Sequence, residues 1–478
     1  MAQMFINGHQ VDAADGQTME IRNPADGSLV ATAPRGGPED VDRAVEAAYD
    51  AFPEWAGRPA SERALLLIRA AEQLKEHLDE IAALLTAEQG KTLRESRIEA
   101  ERLAENLEFF AGLTNAFRGD YVKLNDPRKY GLVIRRPLGV CVAIIPWNFP
   151  LTLMANKLCP ALAMGNTLVV KPASTTPLAT IRCIELMNAA GLPPGVLNVV
   201  TGPGATVGEA LVQHPRVRKV AFTGETATGK RVMQLAAGTV KRVTLELGGS
   251  DPCIVCDDAD LEAAASAVSV GRFFNCGQAC LAIKRLYVFE SVYDEFVEKL
   301  VGRAGRLTLG SGTSPTTRVG PMHSAGGRAE IEAFVADALG RGARILTGGA
   351  RPEGPEFSTG YYYLPTLLTD VPAGARVWSE ETFGPVLPIA KVKNLDEAIA
   401  RANDSIFGLG SSVWTRDIAR ARQAMDRLEA GYTWVNAMQI AHDELPFGGT
   451  KQSGYGKEHG TEVLGYYTEE KSVVIASG

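Results

Sequence analysis

Histidine and cysteine are sparse in this chain, and neither is arranged to hold a metal. The six histidines (His9, His77, His214, His323, His442 and His459) lie far apart. Cys253 and Cys256 have CxxC spacing, but no second CxxC or His pair completes a tetrahedral set. They sit in an apolar strand pattern, "DPCIVCDD", where a free cysteine behaves as a small hydrophobe, so they read as core. Seven cysteines in 478 residues are few and odd in number, which fits free thiols in a reducing compartment and a cytoplasmic location. There is no GxSxG elbow for a Ser-His-Asp hydrolase and no GxGxxG after a strand. The longest apolar runs, such as 138–146, fall well short of the roughly 20 residues that span a bilayer. The start, "MAQMFINGHQ", lacks the charged and apolar regions of a secretory signal. Basic residues are not in excess: 49 Lys and Arg face 56 Asp and Glu, a net charge of −7. That argues against a nucleic-acid face and gives no reason to expect an anionic membrane as partner. Internal repeats and low-complexity tracts are also missing.

What is present is the composition of a globular protein, 45% hydrophobic and 22% charged, with 49 glycines. The length predicts two or three domains. Apolar β-rich runs alternate with amphipathic helical patterns, the mark of an α/β fold with parallel strands. In "GPEDVDRAVEAAYDAFPEW", Val41, Ala44, Val45, Ala48 and Phe52 recur at helical spacing. Residues 61–118 predict two or three long helices, and 121–136 has a strand-like texture. Four strand–loop–helix units then follow, on "GVCVAIIP", "NTLVVKPA", "GVLNVVTGPG" and "VRKVAFTG". They predict an open doubly wound sheet, which binds ligands at the carboxyl ends of its strands. A second α/β run begins near Lys241 and continues to about Val435, which places a domain boundary near Leu247. The end, "SVVIAS", reads as a strand that docks on a sheet.

The candidate sites carry more than one reading. "FTGETATG", with Gly224, Glu225 and Gly229, and "TGPG", with Gly204, are each either a turn with a helix cap or a phosphate loop. Helix N-termini offer free N–H groups and a partial positive charge, which suit a pyrophosphate. Lys171 ends an apolar strand, either as a solvated tip or facing a nucleotide. The stretch "FFNCGQACLAIKR" holds Cys276 and Cys280. Cys280, between small neighbours, has an accessible sulfur. Glu246, in "LELGGS", supplies a carboxylate, and Asn148, in "PWNFP", an amide. A thiolate, a carboxylate and an amide donor suffice for acyl chemistry, although sequence distance does not show that they meet.

The stretches "PWNFP", "KPA", "FTG", "LELGG", "GQAC", "EETFGP", "PFGG" and "SGYGKE" occur in the order and spacing of one family. Over essentially its whole length the chain resembles the aldehyde dehydrogenase superfamily. The resemblance implies a Rossmann-like cofactor domain over 1–119 and 137–247 and a catalytic domain over 248–445. It also implies a small β arm, 120–136 and 460–478, that joins subunits into a homodimer or homotetramer. It makes Cys280 the nucleophile that attacks a small-molecule aldehyde, with Asn148 and the Cys280 N–H holding the oxyanion. Hydride passes to NAD or NADP, and Glu246 activates water to release a free carboxylic acid. Members that transfer the acyl group to coenzyme A typically lack that glutamate. Lys171 and Glu469, in "YTEEKS", resemble a pair that relays a proton outward. Pro146, Trp147, Lys171, Ser174, Gly204, Gly224, Glu225, Gly229, Leu247, Glu381 and Phe383 match positions that line the dinucleotide, with Glu381 on the nicotinamide ribose. Cys276 reads as packing.

Departures from the family pattern carry information too. Strict NAD users often have Glu after "KPA"; here Ser174 predicts dual use or an NADP preference. Glu225 stands where Ser is common. Succinate semialdehyde dehydrogenases, which resemble the chain closely, typically carry Arg where Asn156 and Phe274 stand. Without those cations a distal carboxylate is poorly held, so an uncharged aldehyde is expected. Phe274, Trp147, Phe447 and the loop 437–445 predict a partly aromatic funnel, in which His442 and Asp443 stand as binders of a polar tail. Succinate semialdehyde itself is the alternative substrate, and a non-catalytic structural protein is the alternative from another class.

Overall fold

The computed structural model describes residues 2–116 and 118–476. Five parallel strands form the centre of the first sheet, in the spatial order Leu197–Val199, Thr167–Lys171, Val140–Ile144, Val217–Thr223 and Arg242–Glu246. The chain starts at Val140–Ile144, steps outward twice on one side, and returns to the other side. The order therefore reverses beside Val140–Ile144, and the crevice at the carboxyl ends of that strand and of Val217–Thr223 is the place where such sheets bind ligands. Side chains alternate across the sheet with the strand period of two. Cys141, Ala143, Leu168 and Val170 join the core beneath the helices Ala60–Lys75, Leu93–Leu113, Pro150–Ala163 and Leu178–Ala189. Val140, Val142, Ile144 and Val169 face the helices Pro38–Gly57 and Thr226–Ala237. Each fully buried side chain of this kind contributes roughly 1.5–3 kcal/mol.

The second sheet has seven strands, six of them parallel, around Asp251–Val255 and Ile283–Phe289. Its core includes Cys253 and Cys256, both fully buried. The chain passes from the first sheet to the second between Glu246 and Asp251. It later returns: Gly454–Tyr455 pairs with Arg242–Glu246, and Val463, Leu464 and Tyr467 lie in the first core. The expectation of arm strands across 460–478 is corrected here. Val463–Tyr466 is a short helix buried by its apolar side chains, and the strand is Thr468–Ala476. That strand pairs with Lys129–Pro137, which pairs with Asp120–Lys123, giving a separate three-stranded antiparallel sheet. Among the described residues no helix is long and apolar enough to cross a membrane. Nor does any group of three or more His, Cys, Asp or Glu side chains gather for a metal ion.

Candidate functional site

Cys280 follows a left-handed turn in which Cys276 is the residue least suited to that conformation. Asn275 (φ 50°), Cys276 (φ 56°) and Gly277 (φ 72°) are all left-handed. For residues other than glycine this costs on the order of 1 kcal/mol or more each, so neighbours must impose it. The Asn275 N–H donates to Glu95 Oε1 (2.7 Å), and its side-chain amide donates to the Asn148 carbonyl (3.0 Å). The Gln278 amide donates to the Asn275 carbonyl (3.0 Å), and Gln278 Oε1 accepts from the His323 N–H (2.8 Å). Glu95 is itself fixed as the third residue of a capping box with Thr92 at the start of Leu93–Leu113.

Asn148 is gripped from both ends. Its carbonyl accepts from Lys91 Nζ (2.6 Å), and its side-chain amide donates to the Gln278 carbonyl (3.1 Å). Lys91 Nζ pairs with the buried Glu99, and the other Glu99 oxygen accepts the first N–H groups of Pro150–Ala163. The second Asn148 amide N–H and the backbone N–H of Cys280 have no acceptor among the described residues. Two free donors beside a thiol suit an oxyanion.

The Cys280 side chain packs against the cluster Leu409, Trp434 and Phe447, as do Leu281, Tyr432 and Ala441. Burial pushes its thiol up to about 12, with Glu246, Glu381 and Asp251 adding to the rise and the Lys284 ammonium opposing it. Glu246 is also buried, and neither carboxylate oxygen has a hydrogen-bond partner among the described residues. Burial, then the nearby Glu458, holds its carboxyl well above the usual range, against Lys157 and Lys457. An unpartnered buried carboxylate of raised basicity is poised to take a proton.

The other wall of the crevice fits a dinucleotide. The helix Thr226–Ala237 begins without a side-chain cap, and so does the Gly204–Gly208 π-turn. Both leave N–H groups free at the switch point. Gly224 donates its N–H to the Glu246 carbonyl (3.1 Å). Gly229 seats the helix against Leu247, whose N–H is held by the Ser453 carbonyl (2.9 Å). Lys171 is buried beside Gly208, donates to the Pro172 carbonyl (2.8 Å), and is lowered to about 8 by burial. Ser174 is half-buried and donates to the Gly202 carbonyl (2.9 Å). Glu225 lies exposed at the helix start. Pro146 is half-buried ahead of Trp147. Trp147 stacks on His323 (4.4 Å) and meets Phe383 edge-on (5.6 Å). Glu381 accepts from the Gly249 N–H (3.1 Å) and pairs with Lys284 (3.0 Å).

Residues 11–473 match the model of the aldehyde dehydrogenase family. The chain belongs to the aldehyde dehydrogenase family. It is an oxidoreductase with the α/β fold of that family. A betaine aldehyde dehydrogenase of Bacillus subtilis is 41% identical over 98% of this chain and 96% of its own length. A succinate-semialdehyde dehydrogenase [NADP(+)] of Escherichia coli is also 41% identical, over 99% of this chain and 97% of its own. A crystal structure of betaine aldehyde dehydrogenase from Staphylococcus aureus in complex with NAD+ superposes with a TM-score of 0.97. It is 37% identical, covering 100% of this chain and 95% of that one.

Several sequence expectations for this aldehyde dehydrogenase need correction. Glu469 does not meet Lys171: it lies on the arm, in register with Arg136 and ion-paired to it (3.4 Å). The lysine–glutamate pair beside Glu246 is instead Lys157–Glu458 (2.6 Å), both fully buried, with Asn156 donating to the other Glu458 oxygen (3.0 Å). Lys157 Nζ also donates to Thr223 Oγ1 (2.6 Å). Asn156 thus serves this pair rather than a substrate tail. Asp443 is no free tail binder either, because it is ion-paired with Arg102 (2.7 Å) and accepts from the Asn106 amide (2.9 Å). Trp147 meets Phe383 edge-on, and Phe274 stacks on Phe149 (6.0 Å). Lys157 had a visible signal, a single charge in the apolar helix "LTLMANKLCPALA". His323 had none, since only the fold brings it to Trp147.

Proposed function

We propose that the enzyme oxidises an uncharged aliphatic or aromatic aldehyde to the free carboxylic acid, with NAD(P)+ as hydride acceptor. The observation that carries this reading is the meeting of Cys280, two free donors and the unpartnered, buried Glu246. The Cys280 thiolate adds to the aldehyde carbon, and the oxyanion is received by the Asn148 amide and the Cys280 N–H. Such donors contribute about 3–4 kcal/mol each where their removal has been measured. Loss of hydride from the thiohemiacetal leaves a thioester on Cys280. Glu246 then takes a proton from water as the water oxygen attacks the thioester, and the carboxylic acid leaves with the Cys280 thiolate restored. Lys157 and Glu458 carry that proton away from Glu246. The dinucleotide, held by Lys171, Trp147, Glu381, Phe383 and the two open helix starts, supplies the hydride-accepting nicotinamide.

The funnel supports an uncharged substrate. Phe274 and Phe149 stack where a cation would be needed, and Asn156 is committed to Glu458. The likeness to a succinate-semialdehyde dehydrogenase favours that substrate as the second reading. Initial rates of NADH and NADPH formation across succinate semialdehyde, aliphatic and aromatic aldehydes separate them. Preference for succinate semialdehyde would overturn the first. Ser174 carries no charge to repel a 2′-phosphate, which supports use of both nucleotides. Ser174→Glu should move the NADP/NAD ratio of kcat/KM toward NAD by about tenfold or more; an unmoved ratio removes the argument.

The arm sheet exposes Tyr121, Val122, Ile134 and Val474, which supports subunit joining into a homodimer or homotetramer. Light scattering that gives a monomer would refute it. Seven free thiols, six of them buried, support a reducing, cytoplasmic setting.

A further inference from the structure

Lys284 is a charged side chain that touches both Glu381 and the backbone of Cys280. It lies on the strand Ile283–Phe289, just after the Cys280 loop, and is completely buried. Its ammonium donates to the Ala279 carbonyl (2.9 Å) and the Cys280 carbonyl (2.5 Å). The same ammonium pairs with Glu381 Oε1 (3.0 Å) and lies 5.9 Å from the centre of the Phe383 ring. Two hydrogen bonds to carbonyls and one ion pair hold the ammonium in place.

The glycines of "LELGG" make this meeting possible. A Cβ at Gly248 would stand 2.3 Å from Glu381 Oε2, and one at Gly249 would stand 2.9 Å from the Cys280 carbonyl. Glu381 and the Cys280 loop therefore press on the same two residues from opposite sides. Around the thiol stand three carboxyl groups, Glu246, Glu381 and Asp251, against Lys284, the cation that acts on it most. The Arg272 guanidinium fixes the Glu381 segment from behind through the Thr382 and Gly384 carbonyls.

We propose that Lys284 is a positioning residue that ties the cofactor-side carboxylate Glu381 to the backbone of Cys280. One buried ammonium then orients the first and supplies the positive charge beside the second. The proposal rests on the reading of Cys280 as nucleophile and of Glu381 as a nucleotide ligand. It accounts for a lysine buried in a strand, where a neutral side chain would avoid the desolvation cost of a charge.

The test reads the thiol directly, in the whole protein without nucleotide. Cys280 is the only cysteine that is not buried, so iodoacetamide should label it selectively. Below the ionisation midpoint the alkylation rate follows the thiolate fraction. Lys284→Met should alkylate about tenfold more slowly at fixed pH, as expected for removing a nearby opposite charge. Its KM for NAD+ should rise about tenfold, the scale of a lost charged hydrogen bond. Lys284→Arg, which keeps the charge, should restore the alkylation rate. Wild-type alkylation by Lys284→Met overturns the proposal. Should that variant fail to fold, Glu381→Gln reads the same network from its half-exposed side. Removing that anion should speed alkylation, and an unchanged rate counts against the coupling. Labelling that persists in Cys280→Ala would instead sink the nucleophile assignment, so the two failures are distinguishable.

Discussion

Cys280→Ala should lose aldehyde oxidation by a factor on the order of 10⁴ or more, while Cys276→Ala should stay within about threefold of wild type. The two sulfurs are four residues apart but differ in access. Cys280 is half-exposed beside free N–H donors. Cys276 is fully buried, with its sulfur against Met322 Sδ (3.8 Å), so no substrate carbon can reach it. Without a thiolate there is no tetrahedral adduct from which hydride can leave, and no other group in the site replaces it. Removing Cys276 costs packing on the scale of an ordinary core truncation, about 1 kcal/mol. The check is steady-state rates for both variants, with a thermal melt to show that each folds. An inactive but folded Cys276→Ala would reverse the assignment.

Glu246→Gln should release about one equivalent of NADH per active site and then stall. The hydride step needs only the thiol and the oxyanion donors, whereas hydrolysis of the thioester needs a base, which is worth about 10²–10⁴-fold. The wild-type carboxyl is held above its usual range by burial and by Glu458. A base acts only when deprotonated, so wild-type turnover should rise with pH through that raised value, and Glu246→Gln should lose the dependence. Glu458→Gln removes the neighbouring negative charge and should lower the pH at which turnover rises, because Glu246 then ionises more easily. Stopped-flow measurement of the burst and the pH profile of kcat decide the matter. Sustained turnover by Glu246→Gln, or a Glu458→Gln profile displaced to higher pH, would contradict these roles.

Much of the site was legible because its loops are local. "PWNFP", "FTG" and "LELGG" each lie at the end of an apolar strand, where a parallel sheet presents ligand-binding residues. Cys280 stood out through "GQAC", in which Gly277, Gln278 and Ala279 precede it. The error over Glu469 has a physical origin. Its short motif resembled a relay member, but its strand leaves the body of the protein and gives it Arg136 as partner. Glu458 lies inside a stretch already matched, "SGYGKE", yet nothing local marks it as buried against Lys157, 301 residues earlier. The boundary at the chain end failed for a similar reason. The resemblance puts Val463 and Leu464 in the arm, but they are drawn into the first core by helices far away in sequence.

The amino-acid order by itself determined the α/β class, the apolar strands whose ends carry the motifs, and the family, because hydrophobic period and short motifs are local properties. Only the tertiary structure decided which charges share a buried space. Lys157 with Glu458, and Lys284 with Glu381, are paired because distant strands and helices close around them. In that low-dielectric interior, an ammonium and a carboxylate are stable only when packing brings them together.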